Sequence, residues 1–200
     1  EAERRLDVAQ NGQNPLATIL TCSDSRAPVE LVFDRGVGDL FVIRVAGNVA
    51  DTDEIGTVEY GAEHLGTPLL VVLGHSSCGA VTAVVKHAKV EGSIPRLVSK
   101  IVPAVERVRK EAVGKSDDEL VPLAIRENIW QSIGELLRRS PIVAERVHAG
   151  KLRVVGAVYK LDTGELDWLG EHPEQEKLLK AAEGKGDGVA VGGLVPGLVT

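Results

Sequence analysis

The chain has 200 residues, 44% hydrophobic and 26% charged, enough to bury one sizeable core. Its formal net charge of −6 argues against a general nucleic-acid binder, because phosphate contacts require clustered Lys and Arg. The densest basic stretch, Arg107 to Lys110, is interrupted by Val108 and flanked by Glu106 and Glu111, as on a solvated helix face.

In chain order, residues 16–20, 40–45 and 69–73 are short apolar runs rich in β-branched residues and read as strands. Their hydrophobicity is continuous rather than alternating, which suggests a parallel sheet covered on both faces. Residues 52–65 read as a helix capped by Thr52 or Asp53 and stopped by Gly66. Residues 78–90, 95–113, 117–139 and 141–149 follow as further helices, the third of these started by Ser116 or Asp117 with Glu119 in its first turn. A fourth strand is predicted over 152–159, and a hairpin-like turn at Asp162-Thr163-Gly164 leads to an antiparallel edge over 165–169. The fold class expected is α/β: a mainly parallel sheet with an antiparallel edge, flanked by helices. Residues 1–170 are expected to form one domain, and 171–200 a helix over 173–183 followed by a tail. Six glycines among small apolar residues in 184–197 suggest a flexible tail or an arm that docks on a partner subunit.

The residues that carry chemistry stand at the carboxyl ends of two predicted strands. One strand runs into Cys22-Ser23-Asp24-Ser25-Arg26, the other into Gly74-His75-Ser76-Ser77-Cys78-Gly79. Ligands of α/β proteins sit at such strand ends. Two thiolates and an imidazole suit zinc, and three protein ligands leave one tetrahedral position for chemistry. A Cys22–Cys78 disulfide is the plain alternative, but a 200-residue chain with an ordinary core does not need that staple. Asp24 and Arg26, two apart, are spaced for a carboxylate–guanidinium pair.

Both motifs resemble those of the β-class carbonic anhydrases. The resemblance continues through Phe33-Asp34-Arg35-Gly36, Gly38-Asp39-Leu40-Phe41, Arg44-Val45-Ala46-Gly47-Asn48 and Glu59-Tyr60, and covers about residues 13–169. It implies one Zn²⁺ per subunit on Cys22, His75 and Cys78, and reversible hydration of carbon dioxide to bicarbonate and a proton by zinc-bound hydroxide. Asp24 and Arg26 would act as a catalytic dyad, with Asp24 a fourth ligand in a closed form. Gln13, Phe41, Tyr60 and Gly79 would bind substrate, the two aromatics reaching across a dimer interface, and the protein would be a homodimer or homotetramer. Ile19 and Thr21 replace a Trp and a Gly that some bacterial members use for a second, inhibitory bicarbonate pocket, so the open, water-liganded form is expected at neutral pH. Two other readings are a zinc hydrolase of a CO₂-like molecule such as CS₂ on the same scaffold and a non-catalytic zinc-thiolate module.

No apolar run approaches the ~20 residues of a membrane span, so no membrane partner is expected. The chain opens on Glu1 and contains no Met, so a preceding segment is expected. The cytoplasm is the expected compartment, with the periplasm open for the same reason.

Overall fold

A computed structural model describes residues 2–182 of the chain. Five strands form one sheet: β1 (Ala17–Thr21), β2 (Leu40–Arg44), β3 (Leu69–His75), β4 (Arg153–Tyr159) and β5 (Leu166–Gly170). Their spatial order is β2-β1-β3-β4-β5, parallel throughout except for the antiparallel β4–β5 edge. The α/β expectation therefore holds. The continuous apolar runs are explained by two cores, one on each sheet face. Leu20, Leu70, Val72 and Val154 belong to the larger, and Ile19, Val71, Leu73 and Val155 to the smaller.

The larger core is covered by α3 (Thr52–Glu59), α4 (Gly79–Val85), α6 (Val102–Glu111), α7 (Asp117–Arg139) and α8 (Pro141–His148), with Leu178 of α9 (Gln175–Ala182) inserted into it. The centre is α7, started by Ser116 and Glu119 in a reciprocal capping box, as predicted. It lies close against the sheet because β3 and β4 present glycines there. A Cβ on Gly74 would stand 2.8 Å from Ile129 Cδ1, and one on Gly156 2.7 Å from Ile129 Cγ2. The smaller core is thinly roofed by α2 (Val29–Val32), leaving Phe33, Val42, Tyr159 and Leu166 half-buried at its margin.

Several predicted helices are shorter or broken, each for a local reason. The helix expected over 52–65 starts after Asp51, and from Tyr60 to His64 it widens into a π turn. Gly61 in that turn lies so close to β1 that a Cβ would collide with Thr18 Oγ1. The helix expected over 78–90 ends at Val85. His87 takes a left-handed φ of 51°, and Ala88 N–H returns to Ala83 C=O at 2.8 Å, closing the end. The helix expected over 95–113 divides into α5 (Ile94–Val98) and α6. Pro103 has no N–H to offer Ser99 C=O, which accepts from Val102 N–H instead, at 3.3 Å. A helix not anticipated, α1 (Ala2–Asn11), lies outermost, tied by Arg4 to Val37 C=O and Asp39. The glycine-rich stretch 184–197 falls outside the described residues.

Candidate metal centre

β1 and β3 are parallel neighbours, with Thr21 opposite Leu73, so Cys22 emerges beside Gly74 and His75. The chain leaves β1 towards β2 on one side and β3 towards β4 on the other. The two motifs thus meet where the strand order reverses, the crevice in which open α/β sheets hold ligands. Between His75 and Cys78 the backbone turns through Ser77, held at φ 54°. Ser76 N–H bonds Tyr159 C=O at 2.9 Å and Leu161 N–H bonds Ser76 Oγ at 2.9 Å, which anchors the turn to the β4–β5 hairpin.

One donor atom each of Cys22, His75 and Cys78 lie within 4.8 Å of one another, all three residues buried. His75 Nδ1 stands 2.9 Å from Ser76 C=O, a contact that places the ring proton on Nδ1 and leaves the Nε2 lone pair for a ligand. Nε2 is fully buried and has no hydrogen-bond partner among the described residues, an arrangement that costs free energy unless something fills it. Two sulfurs and one imidazole nitrogen with an orphaned lone pair fit a metal ion of zinc type. Cys22 is held well below the ordinary thiol range, chiefly by the Cys78 thiol beside it, with the His75 ring and the Gly47 and Asp24 N–H groups adding to it against the cost of burial. Cys78, as the partner that keeps the shared proton and is itself buried, is pushed up. A cation would supply the charge that lets both be thiolates.

Asp24 lies at the rim, its Oδ2 3.7 Å from His75 Nε2. Arg26 grips it with three bonds: backbone N–H to Oδ1 at 2.9 Å, Nε to Oδ1 at 2.9 Å and Nη2 to Oδ2 at 2.7 Å. That guanidinium holds the carboxyl far below the usual range. Arg44, at the end of β2, was not singled out for a role by its sequence context. It donates to Cys22 C=O at 3.2 Å and Asp24 C=O at 2.6 Å, fixing the loop that carries both residues. Gly79 opens α4 with open space where a side chain would stand. With Ser76 and Ser77 it lines a cavity of about 900 Å³ beside the centre.

The fold thus gathers Cys22, His75, Cys78, Asp24, Arg26 and Gly79. It does not bring Gln13, Phe41 and Tyr60 to them within one subunit. Gln13 is exposed ahead of β1, whereas Cys22 follows its far end. Phe41 pairs in register with Thr18, and its ring lies 5.8 Å from that of Tyr60. Thr18 stands four residues before Cys22, about 13 Å at the ~3.3 Å rise of a parallel strand. Ile19 is buried in the smaller core, and Thr21 Oγ1 donates to Leu73 C=O at 3.0 Å.

Fold and site define an α/β protein with a metal-type Cys-His-Cys cluster at a topological switch point. A sequence model described as carbonic anhydrase matches residues 17–166, and the chain belongs to that family, in its β class. Carbonic anhydrase 2 of Mycobacterium tuberculosis is 38% identical over 158 residues, 76% of this chain and 73% of that protein. The carbonic anhydrase of Mycolicibacterium smegmatis is 36% identical over 170 residues, 82% of this chain and 79% of that one. Among solved structures, the β-carbonic anhydrase CafA of Aspergillus fumigatus superposes with a TM-score of 0.81 at 28% identity, covering 90% of this chain and 87% of its own. No helix among the described residues is long and apolar enough to cross a membrane.

Proposed function

We propose that this carbonic anhydrase holds zinc on Cys22, His75 and Cys78 and converts CO₂ and water to bicarbonate and a proton with the help of Asp24 and Arg26. The observation that carries the reading is the buried His75 Nε2, unpartnered beside two cysteine sulfurs and within 3.7 Å of a carboxylate fixed by arginine. Zinc, when bound, supplies the Lewis acidity that makes water a nucleophile near neutral pH. Cys22 and Cys78 offset its charge as thiolates. Asp24 remains ionised because Arg26 occupies both its oxygens, so it accepts a hydrogen bond from the reacting water at Oδ2 and orients its attack on carbon. Gly79 N–H, at the open start of α4, binds an oxygen of the product. If Arg26 released Asp24, the carboxylate would be free to reach the metal as a fourth donor and close the site.

A second copy of the chain completes the pocket in this reading. Gln13, Phe41 and Tyr60 lie too far along the strand to serve their own centre, yet Tyr60 and Leu16, the residue before β1, are exposed at 41% and 55%. They are presented to a neighbour as a homodimer, alone or within a homotetramer. The cytoplasm is the proposed compartment.

Zinc analysis and stopped-flow CO₂ hydration test the reading together. The wild-type chain is expected to carry one zinc and turn over CO₂, and Cys22→Ala to lose both. Full hydration by a metal-free chain would overturn the site. Parallel assay of CS₂ separates the anhydrase from a hydrolase of CO₂-like molecules.

A further inference from the structure

Three polar side chains outside the two motifs are buried as deeply as any core leucine. Asn48 is 2% exposed, Asn128 0% and Ser132 1%. Asn128 and Ser132 stand one turn apart on the otherwise apolar inner face of α7. Burying such groups is unfavourable unless they are hydrogen-bonded; Asn48 Nδ2 and Asn128 Oδ1 have no partner among the described residues, whereas Asn128 Nδ2 and Ser132 Oγ do, and those partners show what the two α7 residues are for. Asn128 Nδ2 donates to Gly47 C=O at 2.7 Å. The Ser132 hydroxyl reaches Asn48 C=O at 2.9 Å and shares its proton with Asn128 C=O at 3.0 Å.

The segment they grip is strained. Gly47 has φ 77° and Asn48 φ 43°, two left-handed residues in succession. A non-glycine residue in that region is disfavoured and persists only where its surroundings support it. No side chain is tolerated on Gly47 either, since a Cβ would stand 2.7 Å from Ile101 Cδ1 and 3.2 Å from Ala80 Cβ. The outcome of this conformation is a single aimed group: Gly47 N–H points at Cys22 Sγ, 3.3 Å away.

We propose that Asn128 and Ser132 are positioning residues of the metal centre, holding residues 47–48 so that Gly47 N–H is directed at the Cys22 sulfur. An N–H donated to a thiolate draws off part of its negative charge and fixes the direction of its remaining lone pairs. Groups that orient metal ligands in this way are worth roughly 10–100-fold in metal affinity. The inference rests on Cys22 being a zinc ligand.

Zinc-loaded wild type, Asn128→Leu and Ser132→Ala are to be challenged with a chromogenic chelator, and the cobalt-substituted forms compared by absorption. Val154→Ala, which opens the same core away from the centre, controls for general destabilisation. Both α7 variants are expected to release zinc about tenfold faster than wild type and to shift the thiolate-to-cobalt charge-transfer band, with Val154→Ala moving neither. Ser132→Ala, the milder change, carries the test if Asn128→Leu does not fold. The proposal fails if the α7 variants keep the wild-type release rate and band, or if Val154→Ala matches them. A wild-type chain that takes up neither metal would sink the metal-site reading and this proposal with it.

Discussion

Arg26 spends its backbone N–H and two guanidinium N–H groups on one carboxylate. Because Asp24 is thereby held below its unfolded value of about 3.9, its contribution is fully present above that pH and is lost only as pH falls through the depressed folded value. Asp24 is therefore a constant acceptor across the neutral range. In Arg26→Ala it should rise towards the ordinary carboxylate range. The acid limb of kcat/KM for CO₂ hydration is then expected to move to higher pH, with kcat/KM at neutral pH falling at least ~10²-fold, the lower end of what a positioned proton acceptor contributes. A stopped-flow pH profile with an unmoved acid limb would show that Asp24 is not the group being held. Asp24 and Arg26 were readable in the sequence because their chemistry and spacing already imply a pair, as did Cys and His at strand ends. Arg44, Asn128 and Ser132 were not, because each acts on a backbone carbonyl that only the fold brings near. Asn128 meets Gly47 across 81 residues and Ser132 meets Asn48 across 84.

Packing of α7 on the sheet can be dissected atom by atom. Gly74→Ala would drive a Cβ against Ile129 Cδ1, and Gly156→Ala would drive one against Ile129 Cγ2. Each single change is expected to cost ~1–3 kcal/mol through overpacking. Ile129→Val deletes Cδ1 but keeps Cγ2, so it should restore much of the loss in Gly74→Ala and little in Gly156→Ala. Urea denaturation of the four-variant cycles measures this coupling; equal rescue of both glycine variants would show that the helix shifts as a body instead. The strands and the later helices followed from hydrophobic period and caps, with Ser116 and Glu119 beginning α7 as expected, whereas α1 and α2 were not anticipated. Helix continuity did not follow, because it turned on single events. Pro103 divided α5 from α6, and His87 entered a left-handed conformation. The π turn at Tyr60 is set by the tertiary approach of Gly61 to Thr18, which no local pattern encodes.

At the scale of the molecule, one end of β1 carries the metal-type cluster and the other end carries the aromatic pair, so a single subunit separates two halves of the proposed pocket. Tyr60 is 41% exposed, and Leu16 at 55% and Val37 at 45% are exposed just ahead of β1 and β2, at the end of the sheet where Phe41 pairs with Thr18. Exposed apolar side chains beside functional residues are what an interface with another copy requires. Leu16→Glu places a charge among these side chains while its backbone bond to Asp39 C=O is untouched. It is expected to raise the dimer dissociation constant by 10²-fold or more, since burying an unpaired charge costs several kcal/mol. Sedimentation velocity should then show a monomer at micromolar concentration, and CO₂ hydration should fall in step with the dimer fraction. Val113→Glu, at a residue 84% exposed in the α6–α7 turn, should change neither. If the Leu16→Glu monomer kept full activity, Phe41 and Tyr60 would have to serve their own subunit, and the ~13 Å of strand between Thr18 and Cys22 makes that the harder geometry to build.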